Sequence, residues 1–394
     1  QDTTGGVMCP TYRAADEEIT STRGRANMLR SAMNGNLPDD PFDDEFVHEV
    51  MDLCIGCKGC KNDCPSGVDM AKLKAEVVHE YHQREGTSLR DDLFANVERV
   101  LWLGSTFAPL SNWAMQVPGS GLVMEKVLGI GKERDLPSFH RTTFRDWMDD
   151  RGGTHVPESE ATRKALLIAD PYTNYSHPYV GKAAVRVLEA AGVHVKVPEE
   201  VSDSGRPAFS KSMLDHCRAT AEENVQALEP YVDDGWDIVT VEPSDAVMYQ
   251  SDYLDLLPTD ATARVAANAY GVSEYIDIHE LDRNIEFDTP EESLAYHGHC
   301  QQKATQKDHH AATVLRRAGY EVDAVDSACC GMAGSFGYEA EHVSMSKAIG
   351  SILFDQLDES PAEQPVAPGA SCRSQLEEYE GEPPHPIEKV ADAL

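Results

Sequence analysis

Residues 54–65 read CIGCKGCKNDCP, a C-x2-C-x2-C-x3-C-P run made by Cys54, Cys57, Cys60, Cys64 and Pro65. Spacings this short let three thiolates of one loop wrap a single cubane, while the fourth reaches a second cluster in two-cluster proteins. Four-cysteine sites also hold zinc, but the fourth close cysteine and the trailing proline favour a 4Fe–4S cluster. Upstream, Cys9-Pro10 looks like the end of a similar motif. On that logic Cys9 completes the set of Cys54, Cys57 and Cys60. Cys64 then serves a second cluster whose other ligands precede Gln1. The chain starts at Gln1 without an initiator methionine, and we read it as a fragment of something longer.

Helical patterns flank this loop. Residues 21–35 read as a helix with Thr22 as N-cap, Ala26, Leu29 and Met33 on one face, and Gly35 as C-cap. An acidic loop follows from Pro38 to Asp44, and Met70, Leu73, Val77, Val78 and Tyr81 mark a second amphipathic helix. The expectation is an α-helical ferredoxin-like 4Fe–4S domain over residues 1–95. Residues 100–124, VLWLGSTFAPLSNWAMQVPGSGLVM, carry no charge. Gly, Pro, Ser, Asn and Gln interrupt them too often for a transmembrane helix. We read 96–160 as an apolar connector packed between domains, with an interfacial patch for a membrane or partner as the alternative.

From residue 164 strand and helix patterns alternate, twice. ALLIAD (165–170), the helix 180–192 closed by Gly192, and VHVKV (193–197) form the first set. SLAYH (293–297), the helix through 311–319, and YEVDAV (320–325) form the second. Ala191-Gly192 matches Ala318-Gly319, Gly205 matches Gly331, and the segment 241–245 matches the one ending Ser371-Cys372. The fold class expected is therefore α plus α/β: the helical 4Fe–4S domain, then a duplicated parallel α/β cysteine-rich domain, with repeats over 161–290 and 291–394.

The second repeat carries Cys300, Cys329-Cys330-Gly331 and Cys372, each just past the carboxyl end of a predicted strand. Open parallel sheets bind ligands along that edge. Adjacent cysteines rarely pair with each other, but two thiolates from one tight turn suit a metal centre, iron–sulfur or zinc. The contrary reading is four buried, inert thiols. The first repeat has Thr173, Asp203, Ser204 and Asp245 at the matching places, so it should be a metal-free scaffold. His297 and His299 flank Cys300 as auxiliary ligands or a proton relay, or as strand-end histidines bonded to backbone. Cys217 lies in a helical stretch and is read as packing, and Arg206 as a pocket-lining anion contact.

Acidic residues number 68 against 34 basic, a net charge of −34. That excludes nucleic acid, whose phosphates need basic patches. Clear apolar periodicity argues against disorder. A halophilic surface is the expectation, its carboxylates hydrated and screened by concentrated salt. Of ten cysteines, five lie in the first 64 residues and four between 300 and 372. That clustering fits metal thiolates in a reducing, cytoplasmic setting better than disulfides.

The segments GGVMCP, STRGRANMLR, CIGCKGCKNDCPSGVDM, HGHCQQKA and DSACCGMAGSFGYE resemble the FAD-linked D-2-hydroxyacid dehydrogenases of the D-lactate or glycolate type that are fused to an iron–sulfur half. The C-terminal half also resembles the cysteine-rich (CCG) domains of heterodisulfide reductase and of the anaerobic glycerol-3-phosphate dehydrogenase C subunit. The resemblance implies an oxidoreductase whose FAD sits on an upstream domain or subunit. Its clusters would pass electrons to a quinone or another carrier, with the protein peripheral at the inner face of a membrane. A thiol–disulfide reductase subunit, a glycerol-3-phosphate dehydrogenase electron-transfer subunit and a zinc-stabilised scaffold are the alternatives. The sequence departs from the family pattern at Gly369, where a further cysteine would stand three residues before Cys372. The charge yields the first expected outcome: in a salt series the melting temperature rises with salt, and a flat or falling curve overturns the halophilic reading.

Overall fold

A computed structural model describes residues 9–36, 46–288 and 290–394; the acidic loop expected over 38–44 lies outside them. The helix Pro10–Ala15 starts directly after Cys9. The next helix is Thr22–Met33, and its N-cap is Ser21 rather than Thr22, the Ser21 hydroxyl accepting from the Gly24 N–H. Gly24 decides this phase: a Cβ there would lie 2.0 Å from the Glu18 carbonyl oxygen, so the turn closes only around glycine. Asn34 rather than Gly35 caps the other end. The second expected helix runs Met70–Glu85, N-capped by the Asp69 carboxylate. Met70 and Val78 pack with Leu29, Val47 and Val50 in a small core around the cysteine loop, whereas Leu73, expected on the buried face, is exposed.

The charge-free stretch is helical. It forms the helices Val97–Thr106, Leu110–Gln116 and Ser120–Leu128. No helix among the described residues is long and apolar enough to cross a membrane. The segment after these helices is tied back firmly. Asn112 exchanges two hydrogen bonds with the Phe139 backbone at 2.8 Å each. The buried Arg134 donates to the Gly337 carbonyl, the Ser346 hydroxyl and the Glu378 carboxylate.

Two all-parallel sheets follow. The first contains β1 (Arg163–Ile168), β2 (Val193–Lys196), β3 (Asp237–Thr240) and β4 (Ala269–Gly271) in the order β2-β1-β3-β4. The second contains β5 (Ser293–Tyr296), β6 (Glu321–Ala324) and β7 (Gln364–Val366) in the order β6-β5-β7. Helices Pro178–Ala190 and His309–Arg317 make the crossovers, ended by Gly192 and Gly319 at positive φ. Leu167 and Val239 of the first sheet share one hydrophobic cluster with Leu294, Tyr296 and Val366 of the second. The C-terminal helix Pro386–Asp392 packs on Pro178–Ala190, so the core does not stop at residue 290.

One buried ion pair locks the cysteine loop to the first sheet's unit. Lys58, between Cys57 and Gly59 at φ 59°, reaches Asp252, and both side chains are almost wholly buried. Arg206 faces the other Asp252 oxygen at 3.6 Å. Burial pulls Lys58 below its ordinary lysine value while Asp252 holds it up. Removing one partner of such a pair strands a buried charge. Asp252→Ala should therefore cost about 3–5 kcal/mol in denaturant unfolding, and Lys58→Met combined with Asp252→Leu should recover most of it.

Candidate metal centres

Cys9, Cys54, Cys57 and Cys60 line one cavity of about 230 Å³, and Cys64 is not among its walls. The cysteine loop reaches this arrangement through two left-handed residues, Gly56 and Lys58, which fold it tightly. Arg25, fully buried, donates to the Val50 carbonyl and places Nη1 3.4 Å from the Cys9 sulfur. Burial pushes the Cys9 thiol up, but Arg25 and the Thr11 hydroxyl outweigh it and hold the thiol below its usual value. Burial raises Cys60 to about 11. Cys57 is raised further by burial and then by the neighbouring Cys300 and Cys9 thiols. Cys64 is partly exposed, its thiol held down by the backbone N–H groups of Val68, Ser66 and Gly67.

The second set gathers at the carboxyl edge of β6-β5-β7. Cys300 opens the helix Cys300–Ala304 after β5, Cys329 and Cys330 follow β6, and Cys372 lies in the first turn of Ala370–Glu380 after β7. Gly331 turns the chain at φ 96°, and a Cβ there would lie 2.4 Å from the Ser346 carbonyl oxygen. The ligand atoms of His297, Cys330 and Cys372 all lie within 4.8 Å of one another. The neighbouring Cys329 and Cys372 thiols hold the Cys330 thiol well below its usual value and are themselves raised. Crowded thiols behave so because a second thiolate beside the first is repelled. A cation removes that repulsion and lets all ionise together.

His297 is buried and kept neutral by burial. Its Nδ1 lies 2.5 Å from the Ser327 hydroxyl, and its buried Nε2 has no hydrogen-bond partner. A neutral imidazole with an unpartnered nitrogen beside thiolates suits a metal ligand. His299 explains Gly369: a Cβ at 369 would lie 2.7 Å from His299 Cδ2 and 3.4 Å from the Cys372 sulfur. The histidine ring occupies the space that a side chain at 369 would need. The donor chemistry of both sets fits iron–sulfur centres. Cys300 and Cys329 also line the cavity of Cys9, Cys54, Cys57 and Cys60, so the two sets share a wall.

The first sheet's carboxyl edge faces the second across a larger cavity of about 360 Å³, lined by Asp203, Glu242 and Asp245 on one side and Cys300, Cys330 and Cys372 on the other. Thr173 is buried in the helix Pro171–Tyr175, its backbone N–H donating to the capping Asp170. Ser204 donates to Asp245 at 2.6 Å, and Glu242 accepts from the Ala370 N–H at 2.9 Å, joining the two edges. Burial raises Asp203 to about 6 and Asp245 well above the carboxylate range. Arg206 lines this cavity while facing Asp252. Cys217 is sealed in the core, its thiol pushed up to about 12 by burial. Sequence reading passes over Arg25, Lys58, Asp252 and Glu242. Of these, Lys58 alone carries a local signal, a cation between two ligand cysteines.

Residues 6–68 match the 4Fe-4S dicluster domain family, and residues 294–377 match the cysteine-rich domain family. The D-2-hydroxyglutarate dehydrogenase of Escherichia coli is 25% identical over 98% of this chain and 42% of its own length. The glycolate oxidase iron-sulfur subunit of Escherichia coli is 25% identical over 94% of this chain and 87% of its own. The C subunit of the anaerobic glycerol-3-phosphate dehydrogenase of Escherichia coli is 25% identical over 78% of each. The chain spans about two-fifths of the length of the D-2-hydroxyglutarate dehydrogenases it matches. Both cysteine constellations thus fall within the segments that match these two domain families, and the chain as a whole is similar to D-2-hydroxyglutarate dehydrogenases, to a glycerol-3-phosphate dehydrogenase C subunit and to a glycolate oxidase iron-sulfur subunit.

Proposed function

We propose that this chain is the iron–sulfur electron relay of a flavin-linked D-2-hydroxyacid dehydrogenase. It receives electrons from FAD on a preceding domain or partner subunit and delivers them to a quinone or another acceptor. The observation that carries the reading is the shared wall: Cys300 and Cys329 border the cavity of the first cysteine set as well as belonging to the second. Iron–sulfur centres, when bound, accept and release single electrons, which divides the two-electron output of a flavin. Cys9, Cys54, Cys57 and Cys60 hold one centre, and Cys64 serves another. Cys300, Cys329, Cys330 and Cys372 hold the centre nearest the acceptor, with His297 beside it. Arg25 beside Cys9 and Lys303 near Cys300 and Cys372 offset the negative charge that thiolates bring into a buried site. The relatives named for glycolate and for D-2-hydroxyglutarate support a 2-hydroxyacid as the whole protein's substrate.

The common strand orders β2-β1-β3 and β6-β5-β7 support a duplication in which the first copy lost its thiols. Carboxylates at its edge suit hard metals, whereas iron–sulfur centres take thiolates.

Two measurements test these assignments. In electron paramagnetic resonance of the reduced, iron-loaded chain, Cys9→Ser and Cys57→Ser should disturb the same cubane signal and Cys64→Ser should spare it. Loss of that signal in Cys64→Ser alone would reverse the assignment. In iron analysis, Cys330→Ala should lose one centre's share while Asp203→Asn and Asp245→Asn keep theirs. Equal losses in an Asp variant would mean that both edges hold the metal.

A further inference from the structure

We propose that Asp277, His309 and His310 form a metal site outside both cysteine sets, which takes a divalent zinc-type cation and clamps the first sheet's unit to the second. The proposal is independent of the relay reading, and none of the three residues lines either cysteine cavity.

The donors come from two helices that pack on each other. Asp277 lies in the last turn of Val272–Ile278, which follows β4. His309 and His310 open His309–Arg317, the crossover from β5 to β6. One donor atom from each of the three side chains lies within 4.8 Å of the other two. Successive residues of a helix point about 100° apart, yet these two imidazole rings lie with their centroids only 4.1 Å apart. Both rings therefore stand beside one carboxylate, with His310 Nδ1 2.6 Å from Asp277 Oδ2.

That carboxylate is already held from behind. Arg317, two turns further along the histidines' helix, binds its other oxygen and also meets the buried Asp282 at 2.6 Å. Metal sites need such partners to fix the direction of their ligands. Arg317 does not repel a cation here, because two carboxylates face its single charge. The neighbouring Lys307 is matched in the same way by Glu274 at 2.6 Å. His309 is exposed, so an ion can enter from solvent and keep a water as its fourth ligand.

Two imidazoles and one carboxylate are a three-ligand zinc set. They are harder donors than thiolates, which separates this ion from the iron–sulfur centres. Tetrahedral donors at bond lengths of about 2.0–2.2 Å stand about 3.4 Å apart, so binding asks for side-chain shifts of about 1 Å. The ion takes the place of the proton shared by His310 and Asp277, and that proton leaves to solvent. Coordination then runs from one sheet's unit to the other and strengthens the contact that keeps their edges face to face.

The test is calorimetric titration of the iron-loaded chain with zinc chloride, followed by X-ray absorption at the zinc edge. One zinc should bind, with nitrogen and oxygen neighbours at about 2.0–2.1 Å and no sulfur at about 2.3 Å. Iron content should stay constant and the melting temperature should rise. His309→Ala, at an exposed position, should weaken zinc binding by at least about tenfold and leave the melting of the zinc-free chain unchanged. His310→Gln should show the same loss of affinity and serves if the first variant fails to fold. No zinc uptake, a sulfur shell around the zinc, or variants that bind as well as the parent would each overturn the site.

Discussion

Parallel pairing is the constraint on which the rest depends. Every strand in each sheet runs with its neighbours, so every following loop leaves at the same edge. In the second sheet that edge collects thiols separated by as many as 72 positions, Cys300 to Cys372. In the first it collects Asp203, Glu242 and Asp245, and the two edges face one another across a single cavity. An antiparallel arrangement would send alternate loops to opposite ends and scatter both groups. The tight glycines serve this geometry: Gly331 brings two adjacent thiols past the Ser346 backbone where no side chain fits.

Charge is distributed against the trend of the whole molecule. The chain carries −34, yet Arg25, Lys58, Lys303 and Arg206 are gathered around the cysteines, on the walls of their two cavities. Thiolate-held centres are anionic, and burying them in a low-dielectric interior demands positive neighbours. Arg25 meets that demand at Cys9 and Lys303 at Cys300 and Cys372, whereas Lys58 is matched by Asp252 and joins the cysteine loop to a helical turn 194 positions away.

The strands and crossover helices are legible because they are buried and periodic. β1 lies over 163–168 where the apolar run predicts 165–170, because strand ends follow the hydrogen bonds to β2 and β3 rather than apolar content. Leu73 departs from expectation because a helical stripe assumes one packing partner, and the Met70–Glu85 helix is turned by its cap and by the core at Met70 and Val78. The charge-free stretch is legible as apolar but not as three helices. Its prolines and glycines, which argue against a long span, separate short helices. Gly369 reads as a missing ligand in the sequence, whereas in the fold His299 fills the space.

By itself the sequence determined which residue types can take metal and in what local spacing, because C-x2-C-x2-C geometry is set by one loop's backbone and needs no distant partner. It also determined the parallel α/β character, through apolar runs closed by left-handed glycines. Only the tertiary structure decided that the two cysteine sets share a wall, that Asp252 is the partner of Lys58, and that a carboxylate edge and an apolar helical face enclose one cavity with the thiols. Those relations join residues far apart in the chain. No local periodicity encodes such contacts, since they are set by how whole layers pack once their hydrophobic faces are buried.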